Sequence, residues 1–144
     1  MLDAFKFDGI KGWSALFAEL ILSQIIKRYD GYTVIPVPTS PATVIKRGWG
    51  HMEEIARKLS MKGVPVLLSV LKKRRGISQK KLDREQRKNN SLGLFFLTDR
   101  YAIQGKKILL IDDVFTTGST LDACASLLLD HEPEAIRCLT LYRD

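Results

Sequence analysis

Residues 108–120 have the sequence Ile-Leu-Leu-Ile-Asp-Asp-Val-Phe-Thr-Thr-Gly-Ser-Thr. Four large apolar residues in succession, without polar alternation, are typical of a strand that is covered on both faces in a parallel sheet. A loop rich in hydroxyl groups follows, and Gly118 lets its backbone adopt conformations that other residues resist. The segment predicts a strand, a loop and a helix. Ser119 or Thr120 is the predicted N-cap of that helix, with Asp122 three residues after Ser119 as in a capping box.

The predicted loop is suited to bind a phosphate group, because free N–H groups and the helix dipole favour an anion at a helix N-terminus. The dipole contributes about 0.3–1 kcal/mol at an exposed site. Each hydrogen bond to a charged group contributes roughly 1.5–3 kcal/mol, so several loop amides outweigh the dipole. Asp112 and Asp113 would repel a phosphate, but they suit a ligand that also carries hydroxyl groups or a metal ion. A ribose 5-phosphate meets both requirements, and an ordinary strand, turn and helix without a ligand is the alternative.

Residues 108–120 resemble the phosphoribosyl diphosphate (PRPP) signature of type I phosphoribosyltransferases at every defined position of that pattern. The resemblance implies an α/β fold of the type I phosphoribosyltransferase kind. It implies that Asp112 and Asp113 are catalytic and hydrogen-bond the ribose hydroxyls, while Mg²⁺ is bound mainly through PRPP and has no direct protein ligand. The residues that it assigns to the 5-phosphate are Thr116, Thr117, Gly118, Ser119 and Thr120.

The chain has 144 residues, 45% hydrophobic and 27% charged, which predicts a single domain over 1–144. No apolar run approaches the roughly 20 residues of a membrane helix, and Glu19 interrupts the best candidate. The charged N-terminus lacks the regions of a signal peptide. Cys124 and Cys138 provide neither a disulfide framework nor a metal cluster, so both are predicted to be small buried side chains. We expect a cytoplasmic protein without membrane insertion.

Predicted strands alternate with predicted helices along the chain, which indicates a parallel sheet with right-handed crossovers. The strands are expected near 33–37, 64–70, 107–112 and 135–142, with a short one at 94–97, and the helices at 12–29, 52–61 and 121–129. Helix 12–29 is apolar around much of its circumference, as in a helix that is deeply packed or covered by a partner. A homodimer is therefore expected.

Val37, Pro38, Thr39 and Ser40 follow the first predicted strand, which must stop near Pro36 because proline cannot donate to a sheet ladder. Loops at the carboxyl ends of strands are where α/β folds bind ligands. The phosphoribosyltransferase resemblance implies that this loop holds pyrophosphate, and a proline-rich turn without a ligand is the alternative.

Two residues further along the chain have more than one interpretation. His51 lies near the start of the second helix, where it either contacts a substrate or acts as a cap or solvated surface group. Trp49 is either a core residue or a stacking surface for a base.

Residues 72–88 contain nine basic and two acidic residues, so this segment carries +7, which equals the formal net charge of the whole chain. A solvated face is one interpretation, and a phosphate-backbone footprint for nucleic acid is another. No aromatic residue lies within 72–91 to support base stacking. The third interpretation is a flexible lid over 72–91 that closes on pyrophosphate. The lid residues are Arg75, Gln79, Lys80, Lys81, Arg84 and Arg87.

The basic segment also resembles the lid region of the competence protein F (ComF, or GntX-like) group. The matching positions are Gln79, Leu82, Arg87, Asn90, Gly93 and Phe95. Arg47-Gly48-Trp49 is similar to that group's Arg-Gly-aromatic segment. Two features depart from the group: the chain has no four-cysteine zinc ribbon, and Gly50-His51 replaces the usual Asn-Gln.

The two resemblances together imply phosphoribosyl transfer from PRPP to an unidentified acceptor, with a nucleobase as one candidate, and release of pyrophosphate. A PRPP-binding sensor without catalysis is one alternative. A competence or DNA-uptake accessory protein that contacts nucleic acid through its basic segment is the other.

Overall fold

The computed structural model describes residues 12–39, 45, 50–74, 93–115 and 118–143. In chain order its elements are helix α1 (Gly12–Arg28), strand β1 (Thr33–Pro36), helix α2 (His51–Met61), strands β2 (Leu71–Lys73) and β3 (Phe95–Leu97), a 3₁₀ turn (Arg100–Ala102), strand β4 (Lys107–Phe115), helix α3 (Ser119–Leu129) and strand β5 (Ala135–Arg143).

The main sheet has the order β1-β4-β5, and both strand pairs in it are parallel. Ile35 lies opposite Leu110, which in turn lies opposite Cys138. Strands β2 and β3 form a separate antiparallel pair. The mostly parallel sheet, flanked by helices, confirms the predicted α/β fold class, with β4 as the central strand.

Strand β4 is covered on both faces, as its unbroken apolar run predicted. Successive side chains of a strand point to opposite faces. Ile108 and Leu110 therefore pack in one cluster with β1, β3 and α3, and Leu109 and Ile111 pack in another with α1 and α2. All four side chains are 0% exposed. Burying a side chain of this size contributes about 1.5–3 kcal/mol relative to leaving it exposed.

The strand predicted at 64–70 was largely wrong. The segment forms one isolated parallel bridge, Val34 to Val66, through hydrogen bonds from Val34 N to Pro65 O (2.8 Å) and from Leu67 N to Val34 O (2.9 Å). Pro65 has no N–H to donate, so the ladder cannot extend toward Val64. In the other direction the next bond to Leu67 O would have to come from Pro36 of β1, which has no N–H either. The named strand, β2, begins only at Leu71 and pairs with β3.

The predicted cap of α3 was also wrong. Gly118 is the N-cap, with a φ of 78°, and as a glycine it has no side chain with which to cap the helix. Ser119 is the first helical residue, and the N–H of Asp122 donates to the Gly118 carbonyl at 2.8 Å as an ordinary helical bond. Glycine takes this left-handed conformation without the cost that serine or threonine would incur.

Helix α1 packs on one face only within the described part of the chain. Phe17, Ala18 and Ile21 are buried in the cluster shared with α2, and an ion pair between Lys62 and Glu19 links the two helices. Leu20 is 50% exposed and Ile26 70% exposed. None of the described helices is long and apolar enough to cross a bilayer.

Candidate active site at the carboxyl edge of the sheet

Asp112 and Asp113 lie near the carboxyl end of β4, where the apolar run ends. Because strand residues alternate, they follow opposite faces of the sheet. Asp113 lies on the side of α2 and is only 6% exposed, while Asp112 is half-buried. One carboxylate oxygen of Asp112 accepts the backbone N–H of Asp113 at 2.8 Å. The two predicted catalytic acids are therefore adjacent but have different environments.

His51 is the first residue of α2, and its ring connects two strands. Its Nε2 lies 2.9 Å from Oδ2 of Asp113, and its Nδ1 lies 3.5 Å from the hydroxyl of Thr39. The side chains of His51 and Asp113 are 14% and 9% exposed. The interpretation of His51 as a solvated surface group was therefore wrong. The interpretation as a cap was wrong too, because Gly50 is the N-cap of α2.

Thr39 is held by the same helix through a second residue. Its backbone N–H and its hydroxyl both donate to the carboxylate of Glu53, at 2.8 Å each. Asp113, His51, Thr39 and Glu53 thus form a continuous chain of contacts, which we call the edge network. It links Thr39 of the predicted pyrophosphate loop to Asp113 of the predicted catalytic pair through the ring of His51.

The donors and acceptors of the edge network match one another. The single hydroxyl hydrogen of Thr39 is directed to Glu53, because an ionised carboxylate can only accept. The hydroxyl oxygen lies 3.5 Å from Nδ1 of His51, and Nε2 of the same ring lies 2.9 Å from the Asp113 carboxylate, to which it donates because an ionised carboxylate can only accept.

Sequence reasoning missed Glu53, which it treated only as part of an amphipathic helix. The available signal was its position: Glu53 is the third residue after the N-cap, where a capping-box acid reaches back over the helix start. Here it reaches past Gly50 to the loop after β1. A Cβ at residue 50 would lie 2.2 Å from the Glu53 carboxylate, so this placement needs the glycine.

The structure describes some of the remaining predicted site residues and not others. Val37 donates its N–H to Ile111 O at 2.9 Å and packs its side chain in the core, so neither its N–H nor its side chain is available to a ligand. Pro38 is half-buried beside it, and Thr120 is exposed in the first turn of α3. The predicted residues outside the described ranges are Ser40, Thr116, Thr117, all six lid residues and Trp49.

Within the described residues, no group of three histidine, cysteine or acidic side chains converges to hold a metal ion. The donor set does suit Mg²⁺ that arrives with a phosphorylated ligand. Mg²⁺ is typically held by one or two carboxylates together with substrate phosphates. Asp112 and Asp113 present such carboxylates at the sheet edge.

The two cysteines differ in environment. Cys124 is buried in α3, as predicted, whereas Cys138 is exposed on the edge strand β5, so the prediction for Cys138 was wrong. Burial, and then the nearby Asp112 carboxylate, raise the pKa of the Cys124 thiol to about 12. Partial burial of its sulfur and the carboxylates of Asp122 and Asp112 raise the pKa of Cys138 as well.

A separate cavity of about 500 Å³ lies between β3, the 3₁₀ turn and α3. Its lining includes Arg74, Phe96, Arg100, Tyr101 and His131. The Arg74 guanidinium lies 5.2 Å from the Phe96 ring centre, and the Arg100 guanidinium lies 4.9 Å from that of Tyr101. None of the lining residues that the structure describes belongs to the edge network, so the two sites are distinct in the described part of the chain.

The fold and the site define the class of type I phosphoribosyltransferase domains. The family model described as the phosphoribosyl transferase domain matches residues 17–144, which is most of the chain. The chain belongs to this family, in its competence protein F group.

Two curated relatives carry competence names. The chain is 31% identical to competence protein ComFC of Streptococcus pneumoniae over 96% of its own length and 60% of the relative's. It is also 31% identical to competence protein F of Haemophilus influenzae, over 76% of its own length and 49% of the relative's. The chain thus spans about half to three-fifths of these relatives.

Solved structures support the fold alone. The hypoxanthine phosphoribosyl transferase of Trypanosoma cruzi aligns with a TM-score of 0.54 at 16% identity, over 95% of this chain and 66% of that one. The hypoxanthine phosphoribosyltransferase of Staphylococcus aureus aligns with a TM-score of 0.56 at 16% identity, over 93% and 65%.

Gly50→Ala should displace the Glu53 carboxylate from Thr39 without straining the backbone, because the Gly50 φ of −99° and ψ of 123° suit any residue. We expect the free energy of unfolding, measured by urea denaturation, to be about 1–2 kcal/mol lower than in the control variant. The matched control is Gly93→Ala, whose added Cβ would have nothing within 4 Å. Equal stability of the two variants would show that Glu53 does not hold the loop.

The two cysteines should differ in their rate of alkylation. The thiolate is the reactive form, so a pKa of about 12 leaves Cys124 unreactive at pH 8, while the exposed Cys138 reacts slowly and faster as the pH rises. We expect iodoacetamide to label the folded protein once, at Cys138, and Cys138→Ser to abolish this labelling in mass spectra. Labelling of Cys124 before unfolding would contradict its assigned environment.

Proposed function

We propose that the protein binds PRPP at the carboxyl edge of its sheet and transfers the phosphoribosyl group to an acceptor, with release of pyrophosphate. The observation that carries this proposal is the convergence of the loop after β1 and the acids of β4 through the edge network. Parallel strands place their carboxyl ends at one edge, where α/β folds bind ligands. Membership of the phosphoribosyl transferase family supports the same site.

Each part of the site has a role in this proposal. Residues 116–120 bind the 5-phosphate through N–H groups and hydroxyls, and residues 37–40 bind the pyrophosphate, helped by the basic segment. Asp112 and Asp113 hydrogen-bond the ribose hydroxyls and stabilise positive charge at the anomeric carbon. When bound with PRPP, Mg²⁺ supplies neutralising charge on the leaving group.

The reaction breaks the bond between the anomeric carbon and a pyrophosphate oxygen, and its electron pair leaves with pyrophosphate. A lone pair of the acceptor forms the new bond, and the acceptor loses a proton. The protein's contribution is mainly positioning and charge stabilisation. Nucleobases are the first acceptors to screen, because the structural neighbours named above are hypoxanthine phosphoribosyltransferases.

Location and assembly are further parts of the proposal. Both cysteines are free, as is usual in a reducing compartment, and this supports a cytoplasmic location. Leu16, Leu20 and Ile26 are exposed along α1, and this supports a homodimer that covers them.

Calorimetric titration of PRPP, with and without Mg²⁺, tests the site. We expect Mg²⁺-dependent binding that weakens roughly 10- to 100-fold in Asp113→Asn and further in Asp112→Asn/Asp113→Asn, because hydrogen bonds to a charged group are lost. The matched control is Asp130→Asn, an exposed residue after α3 that should leave the affinity unchanged. Equal affinity of parent and Asp113→Asn would contradict the role of Asp113.

A PRPP-binding sensor without catalysis would give the same binding results. A screen of nucleobases for pyrophosphate release separates the two, because only the transferase releases pyrophosphate when an acceptor is added.

Contact with single-stranded DNA is a second candidate function. The names of the two curated relatives and the +7 charge of residues 72–88 favour it. The structure adds an aromatic ring that the basic segment itself lacks, since Phe96 lies beneath Arg74 at the start of that segment. Guanidinium groups and aromatic rings together are typical of single-strand binding surfaces.

Salt-dependent binding of a labelled oligonucleotide tests this function by fluorescence anisotropy. We expect affinity at low salt that falls steeply with salt, and a logarithmic slope that is shallower by roughly 3 after four cations are changed to glutamine. The four are Lys80, Lys81, Arg84 and Arg87. The control changes four exposed cations elsewhere, Lys27, Arg28, Lys106 and Lys107. Absence of binding at low salt, or equal loss in the control, would remove this candidate.

A further inference from the structure

We infer that His51 is a positioning residue that couples the loop after β1 to Asp113, so that the pyrophosphate half and the ribose half of the site are set together. The inference rests on the proposed function and extends it to a residue that the PRPP signature does not contain. His51 stands where the competence protein F group usually has glutamine.

The contact with Asp113 is the stronger side of the coupling. His51 Nε2 lies 2.9 Å from Asp113 Oδ2, and the two side chains are only 14% and 9% exposed. Hydrogen bonds in which a partner is ionised are roughly twice as strong as neutral ones. Limited exposure also reduces screening by solvent and salt. His51 therefore fixes the direction in which the Asp113 carboxylate presents its oxygens to a ribose.

The contact with Thr39 is the other side. At 3.5 Å the contact between His51 Nδ1 and the Thr39 hydroxyl is long, but Glu53 fixes Thr39 independently by accepting two hydrogen bonds of 2.8 Å. His51 and Glu53 are two residues apart in the first turn of α2. A ligand that moves Thr39 must therefore disturb both contacts that this turn makes.

Helix α2 is a rigid support for this coupling. Met52 is 1% exposed, and Ile55, Ala56 and Leu59 are 0% exposed, all in the cluster beneath the sheet. Close-packed interiors transmit displacement because they contain few voids to absorb it. The first turn of α2 thus holds the β1 loop and the end of β4 in one fixed relation, which neither strand imposes alone.

Coupling of this kind is measurable as non-additivity. Two residues that share a contact network give combined effects that differ from the product of their separate effects. Thr39→Val removes the hydroxyl, and Asp113→Asn removes the carboxylate charge. When both substitutions are made in the parent protein, we expect the fold loss of PRPP affinity to be smaller than the product of the two separate fold losses. When both are made in a His51→Ala background, we expect the fold loss to equal that product.

Two substitutions of His51 test its contact with Thr39 and its contact with Asp113 separately. Asparagine can place an amide near the position of Nδ1, and glutamine near that of Nε2. His51→Gln should retain the Asp113 contact and stay within a few-fold of the parent in PRPP affinity, whereas His51→Asn should lose about tenfold. Neither should preserve the coupling, because each has a polar group on one side only. His131→Gln, which alters the other histidine of the chain, is the matched control.

Calorimetric titration of PRPP with Mg²⁺ gives the affinities, and thermal unfolding confirms that each variant is folded. If His51→Ala does not fold, the cycle is repeated in His51→Asn, with the same expectation. Parent-like PRPP affinity in His51→Asn, or multiplicative losses in the parent background, would overturn the inference alone. No PRPP binding by the folded parent protein would overturn the proposed function, and the inference with it.

Discussion

The burial of β4 on both of its faces is the constraint on which the rest of the structure depends. Its four apolar residues are fully covered, so helices must lie on both sides of the sheet and β4 must run through the centre. The residues that follow a central parallel strand lie at the carboxyl edge of the sheet, between the loops that follow the neighbouring strands. Asp112 and Asp113 reach that edge for this reason, and the loop after β1 lies beside them because β1 pairs directly with β4.

The edge network explains how a nearly buried carboxylate is accommodated next to a predicted anion site. An ionised group that leaves water needs hydrogen-bonding or charged partners. Asp113 contacts His51, and Thr39 donates to Glu53, so both of these polar groups are matched by a residue of α2. Both partners lie in the first turn of α2, so this turn connects the loop after β1 to the end of β4.

The structure shows what Gly50 and His51, which replace the usual Asn-Gln of the competence protein F group, do in this chain. Gly50 leaves room for the Glu53 carboxylate, which a Cβ would obstruct, and His51 reaches Asp113 on one side and Thr39 on the other. The exchange therefore affects the support of the proposed PRPP site. Because the chain spans only 60% and 49% of its two curated relatives, its residues account for the phosphoribosyl transferase domain and not for a whole relative.

The sequence by itself determined the fold class, three parallel strands and the place of the two adjacent acids, because these depend on local patterns: an apolar run, an acid pair and a glycine loop. Tertiary structure decided what local patterns do not contain. Pro65 and Pro36 limited the pairing of the segment after α2, and the left-handed Gly118 is the N-cap in place of the predicted Ser119 or Thr120. The edge network joins Thr39, His51 and Asp113, with Asp113 62 residues beyond His51. Such contacts arise only when packing brings separate strands and a helix start together, since no periodicity in the chain encodes that meeting.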